Sequence, residues 1–587
     1  NMHLQTGKGD NLVAITPGMI SVTDNPNPVT GGSLTYRSAA QYNNSWNWNI
    51  HYRAAASYIT GSHNFKVGFN NAYLHHENTT YTDPSAPYAY SFASGVPTNI
   101  TYRIAPRTIQ ANVDYDFGVF AQDRWTVGRW TLQGGIRFDA FANSYPAQSL
   151  APTALAPTLN FQFDPIDNVK WKDITPKMGA TYDLFGNGRT ALKVTLNKYL
   201  EGMGTTGAGG VPNVSDLPNP INRLNTLTSR PWTHNGANGG IAGDSTPQCN
   251  LQDYNANGEC GALLNAATFG NLNPATTYDP DLMQGWGKRF YNWEFTTSVQ
   301  HELMPRVSLN VQYARRWYGN FRIYDDRSVT AAEFDRFTFA VPTDSRLPNS
   351  GATLTAYDVK PTAPTTQNLF VTRADNYGKQ TDKFDAVNVS MQARLQNGLI
   401  VQGGFGPGRQ VTDDCDIVDD LPELLQATAL IPNRTSTTTA RPLDRCHENN
   451  GWRTGVSGLA SYTIPKIDVL VSGTYQNQPG AQLNANAVNF PAASTTLGRA
   501  FTGAPAGRGF NLVPAGEVFI ERLNQIDFRV AKLFRFNGTR TSINFDFYNI
   551  TNSNSVLTEN ATYGTAWRTP QSILLPRLFK LSAQFDF

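Results

Sequence analysis

The sequence predicts an all-β fold, a transmembrane antiparallel β-barrel of about 16 strands, and three observations predict it. Seven times two alternating apolar/polar stretches meet at a short turn, and seven times the next pair is reached through a long polar loop. The chain then ends in an amphipathic strand whose final residue is aromatic. Short turns on one side of a bilayer and long loops on the other give this asymmetry directly.

The short turns are Thr60-Gly61-Ser62-His63, Val127-Gly128-Arg129, Gly186-Asn187-Gly188, Met304-Pro305-Arg306, Asn397-Gly398, Ile464-Pro465-Lys466 and Asn537-Gly538. Gly and Asn accept the positive φ of tight hairpins, and Pro presets φ at the first turn position. The long connections run over about 79–109, 141–169, 201–288, 319–381, 411–450, 479–520 and 552–573. A first strand is expected at about 11–22, followed by a loop at 23–44, and the last at about 574–587. One barrel domain over 1–587 is expected, with large extracellular loops at about 201–288, 319–381, 411–450 and 479–520.

Within the strands the period is two. Leu132, Gly134, Ile136, Phe138 and Ala140 share one face, and Thr131, Gln133, Gly135, Arg137 and Asp139 the other. Val307, Leu309, Val311 and Tyr313 repeat the pattern against Ser308, Asn310, Gln312 and Ala314. A soluble sandwich would alternate in the same way with its apolar face turned inward. Two features favour a membrane wall: charges on the polar faces, such as Arg137 with Asp139 and Asp527 with Arg529, and loops longer than compact soluble domains carry. No stretch approaches the ~20 consecutive apolar residues of a membrane helix. Aromatic residues make up 12% of the chain and gather near strand ends, as interfacial girdles require. A net charge of +2 leaves no nucleic-acid footprint.

At the C-terminus Phe579, Leu581, Ala583, Phe585 and Phe587 alternate with Lys580, Ser582, Gln584 and Asp586. This end, with Phe585 and Phe587, resembles the signal read by the bacterial barrel-assembly machinery. The segments GVFAQDRW (118–125), LQGGIRFD (132–139), WKDITPKMGATYDLFGNG (171–188) and FDFYNITN (545–552) resemble the barrel of TonB-dependent outer-membrane receptors. The Oar-like group, which often carries an N-terminal carboxypeptidase-regulatory-like domain, is the most similar. The resemblance runs from about residue 30 onward. It implies a Gram-negative outer-membrane location and lipid and lipopolysaccharide around the wall. It also implies a TonB complex as partner and a scarce substrate, peptide, protein or glycan, captured outside the cell. The family resembles a barrel of about 22 strands with an N-terminal plug and a TonB box. Neither is recognisable here, nor is a signal peptide with an apolar core, so the expectation is a C-terminal part of a longer precursor.

The expected lumen wall is the polar faces: Gln133, Arg137, Asp139, Lys193, Asn197, Glu294, Gln300, Asn310, Gln312, Arg394, Asp527, Arg529, Asn544, Asp546, Lys580 and Gln584. For ligand capture the longest loop offers Trp232, His234 and Trp286, although packing of the loop on itself is the commoner use of such residues. The four cysteines fall as Cys249 with Cys260 and Cys415 with Cys446, each pair inside one loop. Three pairings are formally possible, and local closure is expected. A zinc site would lack CxxC spacing and has only His447 beside a cysteine.

Other chemical motifs are weaker. Asp253, Asn255, Asn257 and Gly258 match the opening of a calcium loop, but Leu264 stands where the bidentate Glu belongs, so an Asx-turn loop is expected. His75, His76 and Glu77 read as a strand-end polar cluster, because strand neighbours point to opposite faces. The glycine-rich run 204–210 lacks the ending of a phosphate loop. No nucleophile elbow or metalloprotease motif is present, so the expectation is a non-enzyme without cofactor. Two other readings remain: a passive porin of sixteen strands, and a surface adhesion or assembly protein of Oar type.

Overall fold

The computed structural model describes residues 2–6, 18–25, 33–202, 219–234, 236, 241–273, 276–395, 398–426, 439–536 and 539–586. Among these, one eighteen-stranded sheet dominates. Two of its members are three-residue pieces, Gln284–Trp286 and His447–Asn449, docked on longer neighbours.

The other sixteen form the wall. They are β1 (Met2–Thr6), β2 (Tyr42–Thr60), β3 (His63–Tyr81), β4 (Arg107–Val127), β5 (Trp130–Tyr145), β6 (Ile166–Asp183), β7 (Thr190–Leu200) and β8 (Tyr291–Met304). Then follow β9 (Val307–Gly319), β10 (Thr381–Arg394), β11 (Ile400–Asp413), β12 (Arg453–Ile464), β13 (Val469–Gln478), β14 (Leu523–Phe536), β15 (Thr539–Tyr548) and β16 (Leu578–Asp586). Each pairs antiparallel with the next in the chain. Five of the seven predicted short turns join described residues, and Gly61, Gly128, Gly186, Arg306 and Lys466 in them take positive φ. Of the turn Asn397-Gly398 only Gly398 is described, at positive φ, and Asn537-Gly538 lies outside the described residues.

The first strand differs from the expectation. Residues 11–17 are outside the described set, and Ser21–Asp24 pairs with Leu34–Tyr36 and Tyr88–Ala93 in a sheet of the loop end. The wall strand is instead Met2–Thr6, paired with β2. Val22 is 1% exposed inside a loop core, which is why an alternating segment there reads as wall in sequence. Strands also run past the predicted loop boundaries, β2 and β3 over 19 residues each and β4 over 21. About 9–11 residues of a tilted strand cross the hydrocarbon, so the remainder stands above it.

Solvent exposure decides between wall and sandwich. Ile136 is 56% exposed, whereas Asp139 on the opposite face is 8% exposed. The row of direct cross-strand neighbours Leu192, Val299, Val311, Val389, Phe405 and Val456 faces outward across six strands. Apolar residues outside and polar residues inside are the reverse of a soluble sheet. Among the described residues β16 pairs only with β15, and both β16 and the 50–60 half of β2 are open to solvent over almost their whole length.

An Ile136→Arg substitution places a charge near the middle of the lipid band. It is expected to cost about 2–4 kcal/mol of folding stability in bilayers, read as lost heat-modifiable mobility on gels, while Gln133→Arg on the lumen face folds normally.

Candidate functional site

The lumen face divides into two sectors. Over β3 to β9 it is charged. Arg137 donates through Nε to Asp139 at 2.6 Å and through Nη2 to Asn70 at 2.7 Å, and Thr175 Oγ1 donates to Asp139 at 3.2 Å. Gly118 makes room for this: any Cβ there would overlap the Arg137 guanidinium. Arg316 donates to Glu294 at 2.5 Å, Arg322 to Glu201 at 2.9 Å, and the Lys177 ammonium lies 3.1 Å from the Tyr199 ring centroid. Gln133 and Asn197 line a cavity with Lys66, Arg137 and Lys177.

From β8 to β13 the wall turns neutral. Ser298, Gln300, Asn310, Gln312, Asn388, Ser390, Gln392, Gln402 and Gln476 line one cavity, with Lys193 donating to Gln300 at 2.6 Å. Amides and hydroxyls both donate and accept, so this sector holds water and polar chain without selecting a charge.

On the last strands the pairing differs from the sequence expectation. Arg529 forms its bidentate pair with Asp546 on the neighbouring strand, the Nη2 to Oδ2 contact being 3.1 Å. Asp527 accepts instead from the Asn549 backbone at 2.8 Å and from Gln525 at 2.9 Å. Residues two apart on one strand are roughly 7 Å apart, whereas direct cross-strand neighbours are closer. Asn544 lies opposite Ser582, and Lys580 opposite Asp546. Arg394 stands exposed at the short-turn end beside Arg189, Glu302 and Arg306. Phe585 faces outward in the lipid-side row with Phe579 and Leu581, while Phe587 lies outside the described residues.

At the opposite end the loops fold into two compact bodies with cores of their own. One packs Tyr90, Ile100, Tyr102, Leu155, Trp232 and Phe269, from four segments of the N-terminal half. The other packs Phe337, Phe339, Phe490, Phe501, Phe510 and Trp567, from loops of the C-terminal half. Such cores offset the conformational entropy that long loops otherwise keep.

This corrects the loop residues expected to touch ligand. Trp232 is fully buried between Tyr90 and Phe92, with ring centroids at 4.8 and 5.9 Å, and offers no free face. Trp286 lies on the lipid side of the wall, 5.5 Å from Phe138 and under the Lys172 ammonium at 6.0 Å, where it reads as an interfacial anchor. His234 is half-buried in the same loop, its carbonyl accepting from the Gly243 backbone at 3.1 Å.

Disulfides join Cys249 to Cys260 and Cys415 to Cys446. Beside the first, Arg230 donates to the carbonyls of Asp253 at 2.8 Å and Asn255 at 2.7 Å, and Asn255 closes an Asx turn on Asp253 at 3.0 Å. A guanidinium thus takes the carbonyls that a calcium loop would aim at its ion. His75 Nδ1 donates to the Asn112 side-chain oxygen at 2.7 Å, and Gln110 donates to Glu77 at 2.6 Å, a polar cluster shared by adjacent strands.

Sequence reading missed the polar centre of the C-terminal loop body. Asp358 is fully buried, forms an ion pair with Arg508 at 2.7 Å, and accepts from Arg499 at 2.5 Å and the Thr502 backbone at 3.1 Å. Arg508 also donates to Gln426. These residues come from three loops far apart in sequence, so no spacing could have shown them. Nearby, Glu423 accepts from the Asp326 backbone at 3.3 Å, and Tyr377 donates to Asp325 at 2.5 Å. Burial pushes the Glu423 carboxyl up to about 7, and the charges of Asp325 and Asp326 push the same way.

Apolar positions turned to lipid, a polar inner face and loops gathered at one end define an outer-membrane β-barrel. The chain belongs to the family described as outer membrane beta barrel domain, matched over residues 5–419. No curated protein matches it. Among solved structures it is similar to the outer membrane transporter YddB from Escherichia coli, with 12% identity, TM-score 0.46, and coverage of 96% of this chain and 57% of that one. It is similar to the ferric-catecholate import receptor Fiu from E. coli K12, with 12% identity, TM-score 0.41, and coverage of 94% and 55%. Similarity to the ferripyoverdine receptor of Pseudomonas aeruginosa is at 10% identity, TM-score 0.43, and coverage of 92% and 48%. The chain thus spans about half the length of these proteins.

Two outcomes are expected. Asp358→Ala leaves the buried Arg508 without a carboxylate, while Arg499 keeps Asp335, and costs the C-terminal loop body about 3–5 kcal/mol, read as faster amide exchange in 334–359 and 499–512 with the wall unchanged. Glu423 holds its proton more tightly when docked than when free. Docking at 421–426 is therefore strongest below its ordinary range near 4.5 and weakens as pH rises through about 7. Amide exchange there, corrected for intrinsic rates, rises across that window, and Glu423→Gln abolishes the rise.

Proposed function

We propose that this chain is the wall and loop cap of an energised outer-membrane receptor, which captures a scarce extracellular substrate and passes it to the periplasm with energy transmitted by TonB. The plug and TonB box belong, on this reading, to polypeptide outside the sequence described, together with about six further wall strands, for a total of about 22.

The observation that carries the reading is the open seam. A strand edge exposes unpaired N–H and C=O groups, and in hydrocarbon each costs several kcal/mol, so a membrane wall has to close. The outer edge of β16 and the 50–60 half of β2 have no partner among the described residues. Additional strands between them would close the wall and widen it beyond a small porin. Folded loop bodies over a polar lumen also suit capture better than free diffusion.

In such a receptor the wall residues brace and do not react. Arg137, Asp139, Glu294, Arg529 and Asp546, each already paired on the wall, hold rigid charge against a plug, and the neutral amide sector of β8 to β13 lets hydrated chain slide. Arg394 and Asp527 sit at the periplasmic and extracellular ends of that path. Substrate is a peptide, protein or glycan, met first by the outer surfaces of the loop bodies.

Peptide mapping of the native protein from purified outer membranes, paired with planar-bilayer conductance, tests this. Plug peptides encoded upstream and a closed conductance are expected. A native chain beginning at residue 1 with steady open conductance would replace the receptor with a passive porin. Closed conductance without any plug peptide would favour surface adhesion or assembly.

A further inference from the structure

Charge on the inner face is gathered in one sector near the short turns. Lys66, Gln122, Gly135, Lys177 and Asn197 are direct cross-strand neighbours in one row across β3 to β7. Asn64, Arg124, Gln133 and Gly179 form the next row toward the turns. Both rows alternate with outward residues such as Val67 and Ile136, so their side chains stand on the lumen side. Lys66 lies three residues from the start of β3 and Arg124 three from the end of β4. At ~3.3 Å per residue that is roughly 10 Å from the turns, on the periplasmic half of the wall.

Lys66, Arg124, Arg137 and Lys177 line one cavity of about 730 Å³ together with Gln122 and Gln133. Gly135 lies within it, and a glycine inside a strand leaves bare backbone for something to approach. The cations exceed their carboxylate partners. Arg137 is held by Asp139 and Asn70. Lys177 donates to the Lys198 carbonyl at 2.7 Å and lies over the Tyr199 ring, contacts that leave its charge uncompensated. Among the described residues Lys66 and Arg124 form no ion pair. Asp123 also borders the cavity, but it belongs to the alternate face and pairs with His63 at 2.6 Å. Past β7 the first row reaches Glu294, already paired with Arg316, and the second runs through Thr195, Thr296 and Ala314. The surplus of positive charge is therefore local to β3 through β6.

We propose that this hollow binds a solute carrying two or more oxyanion groups, carboxylate or phosphate, as it passes through the lumen. Lys66 and Lys177 stand three strand spacings apart, roughly 14 Å between backbones, on either side of Gly135. That span suits two anionic groups on one molecule better than a lone ion, and the cavity has the volume of a small-molecule site. Arg124 offers a guanidinium fork that takes either group through two parallel bonds. Gln122 and Gln133 supply amide donors for the remaining oxygens. The inference deepens the receptor reading by giving the cargo an acidic character, and it rests on that reading for passage alone, since binding needs no TonB.

The test is amine-labelling footprinting of the native protein solubilised from outer membranes, mapped by mass spectrometry with and without tricarballylate or inorganic pyrophosphate. Lys66 should react in plain buffer and be protected by at least one polyanion, the more effective probe identifying the group as carboxylate or phosphate. Lys532, an outward lysine at the short-turn end, should react equally throughout. By calorimetry with the same probe, Lys66→Gln/Arg124→Gln/Lys177→Gln should bind about tenfold or more weakly, and Lys66→Arg/Lys177→Arg should bind as the parent does. Heat-modifiable mobility verifies folding of both variants. A Lys66 silent in plain buffer, equal protection by sodium chloride at the same ionic strength, or undiminished binding in the triple variant would overturn the assignment. Polyanion binding without TonB-dependent uptake would remove the receptor reading and leave the site, whereas uptake without such binding would do the reverse.

Discussion

The structure depends on one constraint: backbone N–H and C=O groups inside a bilayer have to find partners within the protein. Sixteen strands, each pairing with its chain neighbour, meet it everywhere but along the outer edge of β16 and the 50–60 half of β2, and the two faces of the wall follow from their period of two. With the ladder consuming the backbone, alternate side chains are free to serve two solvents. Ile136 and Phe405 meet lipid, and Arg137 and Gln402 meet water, though each pair of faces belongs to one continuous strand.

The same constraint makes charge cheap inside and costly outside. Glu294 and Arg529 are held by partners on an adjacent strand, and Arg137 by Asp139 on its own strand and by Asn70 two strands away, so the inner wall is braced by polar contacts. Among the described residues the two largest apolar cores lie where the loops close on themselves. There a fully buried Arg508–Asp358 pair ties three loops. Such a pair specifies one arrangement more than it stabilises. The molecule thus places a wet wall below and dry bodies above, the reverse of a soluble sandwich with solvated loops.

The hairpin ladder was legible because turns and alternation are local. Val127-Gly128-Arg129 and Met304-Pro305-Arg306 mark turns by residue type alone, and Leu132 to Ala140 mark a strand by period. Where legibility failed, tertiary partners intervened. Ser21–Asp24 alternates like wall but is claimed by a loop sheet. Trp232 and Trp286 lie in one loop and looked alike, yet one is sealed in a core and the other faces lipid. Arg529 chose Asp546 across the ladder over Asp527 on its own strand.

By itself the sequence determined the class of fold, the hairpins joined by short turns, and the two faces of strands such as 131–140, because each rests on spacing within a dozen residues. Only the tertiary structure decided which charges pair across strands, which loops share a core around Asp358, and which lumen cations, Lys66 and Lys177 among them, share one row. Those depend on register and on contacts between segments hundreds of residues apart, which no local pattern encodes.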